Sequence, residues 1–314
     1  MTIESEPEMT ADAVIQSGSA RRLELGAERG THVRIRRGAY VRSSEWGALD
    51  ARRRHLARIQ ATRLSAKRDP VFSHESAALL WGIPILGEPP ERTRVTVTHG
   101  LAKSNAAVIR SRRPLAPGEV ARTTAGPLAT DPVRTAVDLA AGHSGLAGII
   151  AISHVRRHFG ACVDEFDAAL ARMGSFKGVA RARAAVRRSV EGSDTPLETL
   201  VSVRCEDLGF ERPVQQFAVR GVDGERYLVD FAWLGGEILG ESDGRMKYFD
   251  PDHTGGRTAE QVLWREKRRE DALRPVCRAF VRVTWDEAWA GAPLERRLEH
   301  AGVPRVSRRR PLTW

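Results

Sequence analysis

The sequence predicts an α+β protein built from more than one domain, and three observations predict it. At 314 residues the chain exceeds the roughly 250 at which single hydrophobic cores stop growing. Its 41% hydrophobic and 29% charged residues permit sizeable cores and match neither a disordered nor a membrane protein. The last third reads as helix, three antiparallel strands, helix, strand, an order that segregates rather than alternates its elements.

The elements follow in order. The stretch ADAVIQSGSARRLELGAERG has room for two short helices. HVRIRRGAYVR then reads as two strands around a turn, with Val33, Ile35 and Tyr40 apolar and Arg34, Arg36, Arg37 and Arg42 alternating or clustered at the tip. Helices followed by an arginine-tipped hairpin predict a small winged-helix-like module over residues 1–70, its wing meeting phosphates. ARRRHLARIQATRLSAKR reads as a basic helix with Leu56, Ile59 and Leu64 as its buried stripe. Between Arg21 and Arg68 lie 14 cations and 4 acids, which matches the chain's whole net charge of +10. Such a concentration favours an anionic partner, double-stranded DNA being the one it suits; a solvated arginine face is the plainer reading.

Residues 71–192 predict a mixed α/β domain. Ser73 is placed to cap a short helix in SHESAALLWGIPI that ends near Gly82. RTRVTVTHG and AAVIRSRRPL alternate like strands. TDPVRTAVDLAAG starts a helix at Thr130 or Asp131 with Pro132 in its first turn, and three further helices cover about Leu146–His158, Val163–Met173 and Gly178–Val190. His154 and His158 have the spacing of a metal pair, but no acidic third ligand is near and the flanking arginines would repel a cation.

Residues 193–295 carry the chemistry. Thr195, Pro196 and Glu198 form a capping box at a helix start. RPVQQFAVRG and ERYLVDFAW are strands; Gly235–Gly236 turns the chain and EILGESDG returns. A two-residue Gly-Gly hairpin sets Leu234 opposite Glu237, Ala232 opposite Leu239, and Asp230 opposite Glu241. Val229, Phe231, Trp233 and Ile238 then face a core, and Asp243 lies on the side of the two acids. Directly opposed carboxylates repel. A bound Mg²⁺ or Mn²⁺ would relieve them, since hard cations take carboxylate oxygens, and would serve phosphodiester hydrolysis. Arg226 or Arg245 could relieve them instead. GRTAEQVLWREKRREDALRP reads as a charged helix with Val262, Leu263 and Leu273 inward, and CRAFVRVTWDEA as a strand with Val281, Val283 and Trp285 on one face. A basic tail, 296–314, closes the chain.

With its VDFAW, ILGESDG and REKRREDAL…FVRVTW, the segment from about Asp194 to Ala290 resembles the very-short-patch-repair-endonuclease-like domains of the PD-(D/E)XK nuclease superfamily. The resemblance implies a restriction-endonuclease-like αβββαβ fold, Asp230 and Glu241 on metal, and Glu198 as an outer acidic residue. Many members end the motif in lysine, where this chain has Asp243; Lys247 is the nearest substitute. RIRRGAYV, SHESAALLWGIP and TDPVRTAVDLAAG, over about Thr31–Ala141, resemble the antitoxin-like proteins of AbiEi-type toxin–antitoxin systems, which implies a winged helix before an α/β domain and a partner toxin.

Other classes are excluded or unsupported. The longest apolar stretch, near Leu146–Ile152, is far short of the roughly 20 residues that span a bilayer. The first ten residues lack the pattern of a signal peptide, and Cys162, Cys205 and Cys277 have no paired spacing, so a reduced cytoplasm is expected. No Walker loop, GxGxxG, GxSxG or HExxH occurs, so no nucleotide cofactor is expected. Two functions fit: a metal-dependent DNA endonuclease tethered by its basic front, or a non-catalytic DNA-binding antitoxin or transcriptional regulator with a degenerate nuclease domain.

Overall fold

The computed structural model describes residues 20–97, 102–243 and 259–306. It is a mixed α/β protein. The chain divides into two compact units that change over at Arg187–Arg188, with Arg156–His158 counted to the second.

In the first unit, α1 (Ala20–Glu28) precedes a hairpin of β1 (His32–Arg36) and β2 (Ala39–Arg42). His32, Val33 and Arg34 pair with Arg42, Val41 and Tyr40, and then the register slips so that Arg36 meets Ala39. That bulge re-aims the strand end, leaving Arg34 and Arg37 exposed while Arg36 is half-buried. After α2 (Ser43–Ala48), Asp50 caps α3 (Ala51–Leu64) by accepting from the Arg53 N–H at 2.6 Å. The expected stripe on α3 is corrected: Ile59 is buried, but Leu64 is 68% exposed and Leu56 only half-buried. Polar residues take the inner positions because they find partners there. His55 bonds the Pro90 carbonyl (2.7 Å) and Ser76 Oγ (2.9 Å), and Thr62 bonds Thr93 (3.1 Å).

A five-stranded sheet follows, in the order β5-β4-β3-β7-β6, from β3 (Val71–Phe72), β4 (Thr93–Val97), β5 (Val108–Arg112), β6 (Val120–Arg122) and β7 (Leu128–Thr130). α4 (His74–Trp81) lies after β3 and ends at the left-handed Gly82. Ile59 of α3 shares one core with Phe72, Ala77, Leu80, Val95, Val108 and Ala129. Residue 70 is therefore no seam between cores. Asp131 caps α5 (Pro132–Gly142) at the Arg134 N–H; α6 (Gly145–Phe159), α7 (Val163–Met173) and α8 (Val179–Arg188) complete the helices.

The second unit opens with α9 (Pro196–Leu208), whose first turn Thr195 caps. β8 (Val214–Arg220), β9 (Arg226–Trp233), β10 (Ile238–Asp243) and β11 (Ala279–Thr284) form one sheet in the order β11-β10-β9-β8. Only β10 and β11 run parallel. α10 (Ala259–Leu273) comes between them in the chain, and α11 (Trp285–Ala290) and α12 (Ala292–Ala301) follow. Gly235 and Gly236 both take positive φ (64° and 101°), as a tight two-residue hairpin demands. The expected register holds from there, with Trp233–Ile238, Ala232–Leu239 and Phe231–Gly240 paired.

One ladder pair is missing, and one expectation is corrected. Between β8 and β9 the ladder runs through Gln215–Phe231 and resumes at Phe217–Val229, skipping Gln216 and Asp230. Gln216 there has φ 48°, which L residues rarely adopt. The register is the same on both sides of the gap, and Val229, Phe231, Trp233 and Ile238 are buried as expected. Val229 packs with Ala232, Leu239 and Leu273, whereas the rings of Phe231 and Trp233 contact one another at 6.0 Å. Trp285 begins a helix instead of ending a strand, because Thr284 and Glu287 cap each other's backbone. Val281, Val283 and Leu273 are buried as expected; the side chains of Val262 and Leu263 lie outside the described residues.

Candidate functional site

The acidic residues gather at the interrupted ladder. Glu198, one turn into α9, is 2% exposed. Its carboxylate accepts from the Asp194 N–H (2.8 Å), the Thr195 hydroxyl (2.8 Å) and Gln216 Nε2 (3.1 Å). It is a cap and more than a cap. Burial, followed by the charge of Asp230, lifts its pKa from 4.5 to about 7 against those hydrogen bonds. The left-handed turn at Gln216 is therefore local to the point where a β8 side chain reaches Glu198 and where Asp230 leaves the β8–β9 pairing. Asp230 spans to β10, its Oδ2 accepting from both the Ser242 N–H (2.8 Å) and the Ser242 hydroxyl (2.5 Å).

Glu241 has a different neighbour. Its Oε1 lies 2.7 Å from Arg269 Nη2 on α10, and the same Arg269 donates to the Leu228 carbonyl. The two carboxylates expected opposite one another have different partners. The β9–β10 pairing runs to Phe231–Gly240; beyond it Asp230 bonds Ser242, and Glu241 lies beside a guanidinium. Among the described residues, the cation beside Glu241 is Arg269; Arg245 lies outside the described residues. Asp243 ends β10 opposite Thr284, half-buried. Lys247 lies outside the described residues. Among the described residues, no three of His, Cys, Asp and Glu come together as a metal-holding group.

In the first unit, a cleft of about 630 Å³ is lined by Arg34, Arg36, Arg37 and Arg58, with Thr62, Glu91 and the 105–107 loop. Three of the four sequence-nominated arginines meet there. Arg42 does not; it sits at the other end of the hairpin, 4.0 Å from Glu45. Arg58 is held over the Trp46 ring at 5.2 Å.

Sequence reasoning missed Gln216, Ser242, Arg269 and Arg58. Ser242 sat between two nominated acids and Arg58 on a recognised basic helix, so both carried a signal. Gln216 and Arg269 matter through tertiary placement, which no spacing announces. No family model matches the chain, and no curated protein matches it significantly. Among the described residues, no helix is long and apolar enough to cross a membrane.

Proposed function

We propose that the chain is a DNA-associated protein whose second unit is a PD-(D/E)XK-type, Mg²⁺- or Mn²⁺-dependent endonuclease domain. The observation that carries this reading is the Glu198–Asp230 pair: a buried carboxylate, 2% exposed, whose pKa burial first and then the charge of Asp230 raise to about 7. A structural capping glutamate has no need of a second acid beside it. The donors suit a hard cation, being carboxylate oxygens whose mutual repulsion such an ion relieves. Asp230 and Glu198 would hold it, and Glu241 would join by giving up Arg269. Bound there, a divalent cation supplies charge neutralisation at the phosphate and an activated water. Within the chain, Ser242 fixes the Asp230 carboxylate in direction, and Gln216 does the same for Glu198. Glu198 is poised to take or release a proton near pH 7.

Supercoiled plasmid incubated with the full chain and Mn²⁺ tests the reading. Nicking by the parent that Asp230→Ala abolishes, with the melting temperature retained, is the expected result. Cutting that persists unchanged in Asp230→Ala and Glu241→Ala removes the site assignment.

The Arg269–Glu241 ion pair, and Asp243 where lysine is usual, favour a second reading: a DNA-binding regulator of antitoxin type, partnered by a toxin, whose nuclease-like unit no longer cuts. It expects duplex binding without nicking, and binding that weakens steeply with salt and with alanine at Arg34, Arg36 and Arg37.

A further inference from the structure

The arginine cleft of the first unit is concave, and it is overcharged from within. Arg34, Arg36 and Arg37 at the hairpin end, and Arg58 on α3, line it with Glu91 as the one carboxylate among the described lining residues. Arg36 Nη1 is buried and has no hydrogen-bond partner among the described residues. Its pKa is lowered, by burial first and then by the charge of Arg110 on β5. A buried, unpaired N–H on a cation crowded by like charge is an arrangement folded proteins avoid. An anion seated in the cleft would complete it.

The shape and the charge narrow the anion. A space of about 630 Å³ suits a nucleotide-sized group, whereas a duplex backbone presents a convex ridge that contacts arginines on an open face. A phosphodiester brings one negative charge. A phosphomonoester brings close to two at neutral pH and three acceptor oxygens, which convergent guanidiniums can share. The loop carrying Asn105 is a set wall, since the Asn105 side chain accepts from the N–H groups of Ala107 (3.0 Å) and Val108 (2.8 Å).

We propose that this cleft binds a phosphomonoester, the terminal phosphate of a nucleic-acid strand or of a free nucleotide, with Arg36 and Arg58 as its principal donors. The proposal rests on the nucleic-acid reading of this face and makes it specific: the front senses a phosphate end as well as a backbone.

The test compares one short single strand in end-phosphorylated and end-hydroxyl forms, by fluorescence anisotropy with the full chain at fixed salt. Melting temperatures in inorganic phosphate and in chloride, at matched ionic strength, are measured beside it. The parent is expected to prefer the phosphorylated end by about tenfold and to melt higher in phosphate. Arg36→Gln and Arg58→Gln should each remove both effects, while Arg122→Gln, a charge loss outside the cleft, keeps them. Arg36→Gln should melt no lower than the parent in chloride, because the guanidinium it removes has an unpaired Nη1. Deoxythymidine monophosphate that displaces the strand identifies free nucleotide as the source; failure to displace assigns the strand end, and either outcome supports the cleft. Equal affinity for both strand forms, with no melting shift in phosphate, overturns it. Duplex binding that survives that result leaves the DNA reading standing, whereas absence of all binding removes both.

Discussion

Asp230 acts on Glu198 where the β8–β9 ladder lacks its Gln216–Asp230 pair, its charge adding to burial in holding the Glu198 carboxyl at about 7. The folded protein thus binds this proton more tightly than the unfolded chain, whose glutamate ionises near 4.5. Stability attached to Glu198 is full below about 4.5, declines as pH rises toward 7, and stays low above; the total is roughly 3 kcal/mol. Asp230→Asn keeps an acceptor for Ser242 and removes the charge. It should raise the melting temperature at about pH 8 and change it little at about pH 5. An equal change at both, or a fall at the higher pH, contradicts the coupling.

Arg269 holds two partners from α10, the Glu241 carboxylate and the Leu228 carbonyl. Arg269→Ala removes both contacts and takes that cation from a carboxylate only 19% exposed. Urea unfolding should show a loss of about 1–3 kcal/mol, and a double-mutant cycle with Glu241→Gln a coupling of about 1 kcal/mol. If a divalent cation can take the arginine's place at Glu241, Mn²⁺ will raise the melting temperature of Arg269→Ala more than that of the parent. A metal effect equal in both limits the cation to Asp230 and Glu198.

What was legible in the sequence was what local chemistry decides. Thr195, Pro196 and Glu198 announced α9, Asp131 and Pro132 announced α5, and the Gly-Gly turn fixed the β9–β10 register. Strands of two or three residues, such as Val71–Phe72 and Val120–Arg122, are too short for alternation to show. The break at Gln216 could not be read, because a positive φ at a non-glycine residue leaves no mark in composition. It lies beside Asp230, on the strand that brings Gln216 to Glu198. On α3, hydrophobicity nominated Leu64, while His55 and Thr62 won the interior through hydrogen bonds that span 35 and 31 residues.

Arg134 shows the same trade inside the first unit. It is 1% exposed, and its guanidinium meets Glu119 (2.7 Å), Asp138 (3.3 Å) and the Pro114 carbonyl (3.0 Å). Arg134→Ala leaves Glu119 to Arg172 alone and Asp138 to Arg113 alone, and should cost about 1–3 kcal/mol in urea unfolding. Arg134→Lys keeps the charge and loses the fork, so it should fall between alanine and the parent. A lysine variant as stable as the parent would mean that charge alone, and not the planar geometry, holds this cluster.

Glu75 should drive the first unit's pH response in the direction opposite to Glu198. Burial alone would raise its pKa, yet the His143 hydrogen bond (2.8 Å) and the charge of Arg94 (3.3 Å) bring it down to about 2. The unfolded glutamate protonates near 4.5, so the stabilisation is fully present above that value and is lost as pH falls toward 2, at roughly 3 kcal/mol in total. Hydrogen–deuterium exchange read on the α4 peptide separates this unit from the other. Protection of α4 should decline between about pH 4.5 and pH 2.5 in the parent, and Glu75→Gln should flatten that decline while starting from lower protection at neutral pH. If the variant keeps the parent's acid slope, the proton taken up on unfolding belongs to another carboxylate, and Asp138, held by Arg113 and Arg134, is the next to replace.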